Sequence, residues 1–187
     1  MSELVGLAAD GDQGAWRELV GRYSGLVWSV ARSHNLSHTD ADEVSQTTWL
    51  RLVEHLGRLR DPERVGGWLA ATARHESARV LRRAGREVLE DSPQEDVEFG
   101  NPEPGPEARL LESERRELLM KGLAELSDRC RRLLRVLASA PPPSYAEVSD
   151  ALGIPVGSIG PTRARCLENL RRILVAQGAV PHPGGGS

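Results

Sequence analysis

Lysine is almost missing from this chain: of its 24 cationic residues, only Lys121 is lysine and the rest are arginine. Arginine's planar fork of donors suits phosphate and guanine recognition, although a GC-rich genome would produce the same skew. Cysteine is scarce too. Cys130 and Cys166 alone are too few for a disulfide framework or a zinc site. No apolar run approaches the roughly 20 residues of a membrane span. Glu3, Asp10 and Asp12 interrupt any secretory signal, so a cytoplasmic protein without membrane attachment is expected. In that compartment a disulfide is not expected. Both cysteines fall at apolar helix positions, where a free thiol serves as a small hydrophobe. No segment reads as a good strand, and no Ser/His/Asp set or glycine-rich phosphate loop is present, which argues against an enzyme and against any cofactor. His34, His38 and Asp42 recur at intervals of four and would align as metal ligands on one helix. However, Ser37, Thr39 and Asp40 between them are capping residues that break such a helix, so no metal site is expected.

At 187 residues the chain can form one ordinary domain or two small ones. The net charge of −3 decides nothing, but its distribution does. Residues 1–84 carry eleven acids and eleven bases, residues 85–108 eight acids and one base, and residues 109–187 eight acids and twelve bases. A neutral block, an acidic strip and a basic block imply two modules and a connector. The expected fold is all-α, with two small helical modules, an N-terminal bundle and a C-terminal helix-turn-helix, joined by a flexible acidic linker. The expected boundaries are 1–86, 87–107, 108–176 and a disordered tail at 177–187.

In the first block, Trp16, Leu19, Val20, Tyr23, Val27, Val30 and Ala31 share one face of a helix that Asp12 can cap. A second helix from Asp40 to Leu56 turns Ala41, Val44, Thr48, Leu52 and Leu56 inward. Gly57–Gly67 is expected to be a loop with a turn of helix. Trp68, Leu69, Thr72, Ala73, Val80 and Leu81 mark a further helix ending near Gly85, with Trp68 in the core. Between residues 87 and 107 there are eight acids and only Val88, Leu89, Val97 and Phe99 as large apolar groups, too few to order the segment alone.

The helical pattern returns at about 108–122, and again from Ser127 with Leu126, Cys130, Leu133, Leu134 and Leu137 at helical spacing. Pro141–Pro143 end that helix. Ser144 and Glu147 form a capping box for a short helix that stops at Gly153. Ser158 is expected to cap the next helix, with Pro161 tolerated in its first turn. Helix, glycine turn, helix is a helix-turn-helix. In its second helix Ile159, Cys166, Leu167, Leu170, Ile173 and Leu174 group on one side, and Arg163 must snorkel from that side. Pro161, Ala164, Arg165, Glu168 and Arg172 face outward. Arg165 is either a base contact, since arginine can give guanine two hydrogen bonds, or a solvated side chain. Pro161 and Ala164 suit thymine methyls. Arg129, Arg131, Arg132 and Arg135 are phosphate contacts or a solvated face.

Two further surfaces stand out. Glu43, Gln46, Thr47 and Leu50, with Trp49 nearby, leave a mixed polar and apolar face that suits a protein partner, or simply a solvated helix. Arg79, Arg82 and Arg83 share a face that could follow a phosphate backbone. Arg74 and Arg86 flank it, and the preceding loop adds Arg58, Arg60 and Arg64, an arrangement able to hold an unstacked base.

On three segments the chain resembles the extracytoplasmic-function (ECF) sigma factors of bacterial RNA polymerase. DADEVSQTTWLRL (Asp40–Leu52) is similar to that family's DAEDLVQETFLRL. GGWLAATARHESARVLRR (Gly66–Arg83) resembles its WL-x-x-I-A-R-N helix. SYAEVSDALGIPVGSIGPTRARCLENLRR (Ser144–Arg172) resembles its S-Y-x-E-I-A-x-x-L-G-x-P-x-G-T-V helix-turn-helix. The order and separations match as well. The resemblance implies a sigma factor that binds core polymerase and reads −10 and −35 promoter elements. Asp42, Glu43, Gln46, Thr47, Trp49 and Leu50 would dock on the clamp helices of the largest subunit. Arg58, Arg60, Arg64, Arg74, His75, Arg79, Arg82 and Arg83 would lie at the −10 element. Arg131, Arg132, Ser158, Gly160, Pro161, Ala164 and Arg165 would lie at the −35 element. The flap of the second-largest subunit and an anti-sigma factor are further implied partners. The sequence departs from the pattern at Glu43 (usually Asp), Thr47 (usually Glu), His75 (usually Asn), and Gly160 and Pro161 (usually polar or basic).

Overall fold

The computed structural model describes residues 1–85 and 116–178. The acidic segment 87–107, the tail from 179, and Arg86 lie outside the described residues. Every element within them is helical: α1 (Ser2–Ala9), α2 (Gln13–Arg32), α3 (His38–His55), α4 (Val65–Ala84), α5 (helical over 116–124), α6 (Asp128–Leu137), α7 (Tyr145–Leu152) and α8 (Val156–Ala176). Short 3₁₀ turns at Leu56–Arg58 and Pro62–Arg64 join α3 to α4. By packing, residues 1–85 with 132–159 form one compact unit, and residues 116–131 with 160–178 another.

In the first unit α2, α3 and α4 pack against one another and α1 lies on α2. Asp12 caps α2 by accepting from the Ala15 amide at 2.7 Å. The buried stripe of α2 is Ala15, Leu19, Tyr23, Leu26, Val27, Val30 and Ala31. Trp16 is only half-buried and Val20 is 40% exposed, because this stripe puts position 20 on the solvent side. Ser37 caps α3: its Oγ accepts from the Asp40 amide at 3.1 Å and donates to the Asp40 carboxylate at 2.8 Å. Ala41, Val44, Thr48, Leu52 and Leu56 are buried in line. The Thr48 hydroxyl, fully enclosed, donates to the Val44 carbonyl at 2.7 Å.

The sequence places Gly66 and Gly67 in a loop, whereas both lie in the first turn of α4 and are buried. They work as close-approach positions. A Cβ on Gly66 would collide with the Glu147 carboxylate and come within 2.6 Å of the Tyr23 ring, and one on Gly67 would collide with Asp150. Removing both side chains lets α7 settle onto α4, its main neighbour in this unit. Val148 and Ala151 of α7 and Val65, Leu69, Ala70 and Ala73 of α4 are buried. Trp68 is half-buried, not enclosed, with its ring centroid 6.1 Å from that of His55. Leu81 is exposed.

The second unit has a small core of Leu126, Cys130, Thr162, Cys166 and Leu170. Gly122 lies flat against Leu170 and Leu174, and Gln177 donates to Glu125 at 2.7 Å. Cys130 and Cys166 are joined in a disulfide, contrary to the expectation of two free thiols. Each was correctly read as inward-facing. Spacing within one helix cannot reveal that the inward faces of α6 and α8 meet there, with the two Cα atoms 5.3 Å apart, inside the range a disulfide spans.

Candidate protein and nucleic-acid interfaces

Three surfaces carry the residues singled out by sequence. On α3, Asp42, Glu43, Gln46 and Leu50 are exposed, while Thr47 and Trp49 are half-buried. Val53, which pattern reading passed over, is 59% exposed beside Leu50 at 60%. The signal was available: 43, 46, 50 and 53 follow the i, i+3, i+7 rule that puts residues on one face. Two exposed aliphatic side chains among carboxylate and amide groups make a surface that water covers poorly. Glu43 pairs with Arg83 at 3.5 Å, both largely solvated, so the pair contributes under about 1 kcal/mol.

The second surface is α4 and the loop before it. Arg58, Arg60, His75, Arg79, Arg82 and Arg83 are exposed. Positions 75, 79, 82 and 83 fall on one helical face. Glu76, whose side chain is 10% exposed, is held by Arg51 at 2.9 Å and Arg79 at 3.7 Å. This pairing leaves a net positive stripe. Two of the expected DNA residues point elsewhere. Arg64 is paired with Asp150 of α7 at 3.1 Å. Arg74 is half-buried, with its guanidinium against Gly153 and 3.4 Å from the His75 ring. The acids of α7 that meet α4, Glu147 and Asp150, were not foreseen, because which helix α7 packs on is not a property of its own sequence.

His34 follows the end of α2. Its Nδ1 lies 2.9 Å from the Val30 carbonyl, and burial, with a smaller effect of the cations Arg132 and Arg74, holds its pKa below the usual imidazole value. Ser37 starts a new helix after it, so His34 and His38 do not share one. Among the described residues no group of three His, Cys, Asp or Glu is placed to hold a metal ion.

The third surface is the helix-turn-helix. The Ser144–Glu147 capping box is complete, and Gly153 ends α7 in the left-handed conformation at φ +66°, which a side chain there would strain. α8 starts at Val156, earlier than expected. Ser158 therefore lies inside its first turn, donating to the Pro155 carbonyl at 2.7 Å, and is not the cap. Pro161 is correspondingly deeper in the helix. Pro161, Arg163, Ala164 and Arg165 are exposed, and Ser158 and Gly160 half-buried. Arg163 does not snorkel from an apolar face, and Leu167, expected inside, is 43% exposed. The buried line of α8 runs through Ile159, Thr162, Cys166 and Leu170. Thr162, a polar residue the hydrophobic pattern skipped, sets the phase, so 163 and 167 swing outward. Arg165 reaches back to the Thr162 hydroxyl at 3.5 Å. Arg132 is exposed, whereas Arg131 is mostly covered, bonded to the Leu126 carbonyl at 3.3 Å and to Asp128 at 3.0 Å.

Residues 19–87, which span α2 to α4, match the Sigma-70 region 2 family. Over 169 residues the chain is 27% identical to the ECF RNA polymerase sigma factor SigE of Mycolicibacterium smegmatis, covering 89% of this chain and 65% of SigE, just under two thirds of that relative. It is 28% identical over 175 residues to the RNA polymerase sigma factor NccH of Alcaligenes xylosoxydans xylosoxydans, covering 91% of this chain and 92% of NccH. Among solved structures, CnrH in complex with the cytosolic domain of CnrY superposes with a TM-score of 0.58 at 25% identity, covering 92% of this chain and 96% of CnrH. The sigma factor RpoE of Bartonella quintana, in complex with the anti-sigma factor NepR, superposes with a TM-score of 0.60 at 19% identity, covering 88% and 98%; this second likeness speaks to the fold alone.

Proposed function

We propose that this chain is an ECF sigma factor, which binds core RNA polymerase and directs it to promoters by reading −10 and −35 elements, with no catalytic chemistry of its own. The observation that carries the reading is the order of three exposed helical faces along one chain. The mixed apolar and acidic face of α3 comes first, the arginine stripe of α4 second, and the outward N-terminal half of α8 third. A lone DNA-binding regulator needs only the last of these.

Each face has chemistry suited to one role. Glu43, Gln46, Leu50 and Val53 offer a protein a greasy centre with a polar rim, the usual anatomy of an interface. We assign this face to core polymerase, with Asp42, Thr47 and Trp49 at its margin. Arg79, Arg82 and Arg83, with Arg58 and Arg60 of the loop, supply fixed positive charge for phosphates and for an opened strand at the −10 element. Pro161, Ala164 and Arg165 present small apolar groups and one bidentate donor to the −35 major groove, with Arg163 and Arg132 near phosphate. Docking of an anti-sigma factor on the same faces would block both partners.

The test is direct titration of core polymerase with the intact chain and with the Glu43→Ala/Gln46→Ala variant. The wild type forms a stoichiometric complex. The variant binds core more weakly while melting at the same temperature, since both positions are exposed. Failure of the wild-type chain to associate with core would remove the reading.

A further inference from the structure

We infer that Cys130 and Cys166 form a reversible redox staple that governs how firmly the recognition helix α8 is held. The chain has two cysteines in all. They lie 36 residues apart in sequence, and the fold joins them to each other across α6 and α8. No third thiol exists to compete, so the pair has one oxidised intramolecular form and one reduced form.

The location gives the bond its leverage. Among the described residues, the buried side chains of the second unit beside the two cysteines are Leu126, Thr162 and Leu170, so a crosslink there supplies a large share of what fastens the described part of α8 in that unit. Small cores commonly need such staples. The residues it steadies, 160–166, are the outward segment assigned to the −35 element. That functional consequence rests on the proposed function, whereas the redox behaviour of the pair does not.

The chemistry balances with a hydroperoxide as oxidant. Cys130 is the entry point: it is 8% exposed against 1% for Cys166, and it sits in the first turn of α6. The one carboxylate of that turn, Asp128, is paired with Arg131. The Cys130 thiolate attacks the peroxide, the O–O bond breaks, and a sulfenic acid and an alcohol or water form. The Cys166 thiol then attacks that sulfur, the S–S bond closes and water leaves. The two sulfurs give up two electrons and the peroxide takes them; a dithiol returns them by exchange. In a reducing compartment a disulfide of this kind is more often a sensor than a permanent brace.

The experiment uses the intact chain, oxidised by hydrogen peroxide or poised in glutathione buffers, with thiols trapped by alkylation and counted by mass. Amide hydrogen exchange is followed in both forms, together with binding to a promoter duplex. The expected result is complete, reversible loss of both alkylation sites on oxidation. Exchange over residues 160–170 should slow by more than ten-fold in the oxidised form, in line with the usual strength of a disulfide, while α2 is unchanged. A Cys130→Ala/Cys166→Ala variant should show no redox response. Thiols that remain fully alkylated after peroxide, or identical exchange of α8 in both forms, would overturn the inference; the wild-type titration decides this even if the variant folds poorly. A redox response in α8 with no duplex binding in either form would support the staple and count instead against the promoter reading.

Discussion

Arg165 and His34 are single residues whose surroundings make opposite kinds of prediction. Arg165 is solvated, donates to the Thr162 hydroxyl of its own helix, and lies in the N-terminal half of α8. Replacing it with alanine should leave the melting temperature unchanged. It should cost on the order of 1–3 kcal/mol of promoter binding, concentrated at one or two positions of the −35 element. Binding assays on duplexes carrying every single substitution would show this; an equal loss on all sequences would make Arg165 a phosphate contact. His34 is a stability residue. Its folded pKa lies below the unfolded value near 6.5 because burial opposes the charge. The unfolded chain therefore binds the proton first. Stability is unaffected above about pH 6.5 and falls as pH drops from there toward the folded pKa. Melting curves from pH 8 to 5 should show a steeper acid decline for the wild type than for His34→Gln. Parallel curves would mean that carboxylate protonation alone accounts for the loss.

At the scale of elements, the sequence made the helices legible and left their meetings hidden. Asp12 and the Ser144–Glu147 box cap helices where the sequence places them, because capping is local chemistry. Of Ser37, Thr39 and Asp40, all expected at the break, only Ser37 caps, and α3 begins at His38, two residues before the expected Asp40. The inward line of α3 followed from its periodicity alone. The phase of α8 did not, because a buried threonine marks it. Neither the Cys130–Cys166 pairing nor the seat of α7 was legible, since both depend on which helix crosses which. The glycine pair of α4 was read as a breaker, when its purpose is contact. Gly66→Ala should push against Glu147 and the Tyr23 ring and lower stability by about 1–3 kcal/mol. Gly21→Ala, at an exposed helical position with nothing within 4 Å, should raise it by roughly 0.5–1 kcal/mol. Chemical denaturation of the two variants checks both signs; a neutral Gly66→Ala would mean that α7 yields easily. By contrast the Arg64–Asp150 pair, with Arg64 65% exposed, contributes under about 1 kcal/mol and leaves Arg64 able to exchange Asp150 for a phosphate.

For the whole molecule, the charge pattern sets the terms. The described helices carry the arginine-rich faces, while the strip over residues 85–108, with eight acids to one base, falls almost wholly outside the described residues. Among the described residues no helix is long and apolar enough to cross a membrane. The measurement that bears most directly on the account is promoter-dependent run-off transcription with purified core polymerase. Core alone should yield no specific transcript. Core with this chain should yield a transcript of defined start from a subset of a promoter library, lost when either the −10 or the −35 element is scrambled. A chain that binds duplex DNA tightly but gives no transcript with core on any promoter would contradict the account and leave a DNA-binding protein that works without polymerase.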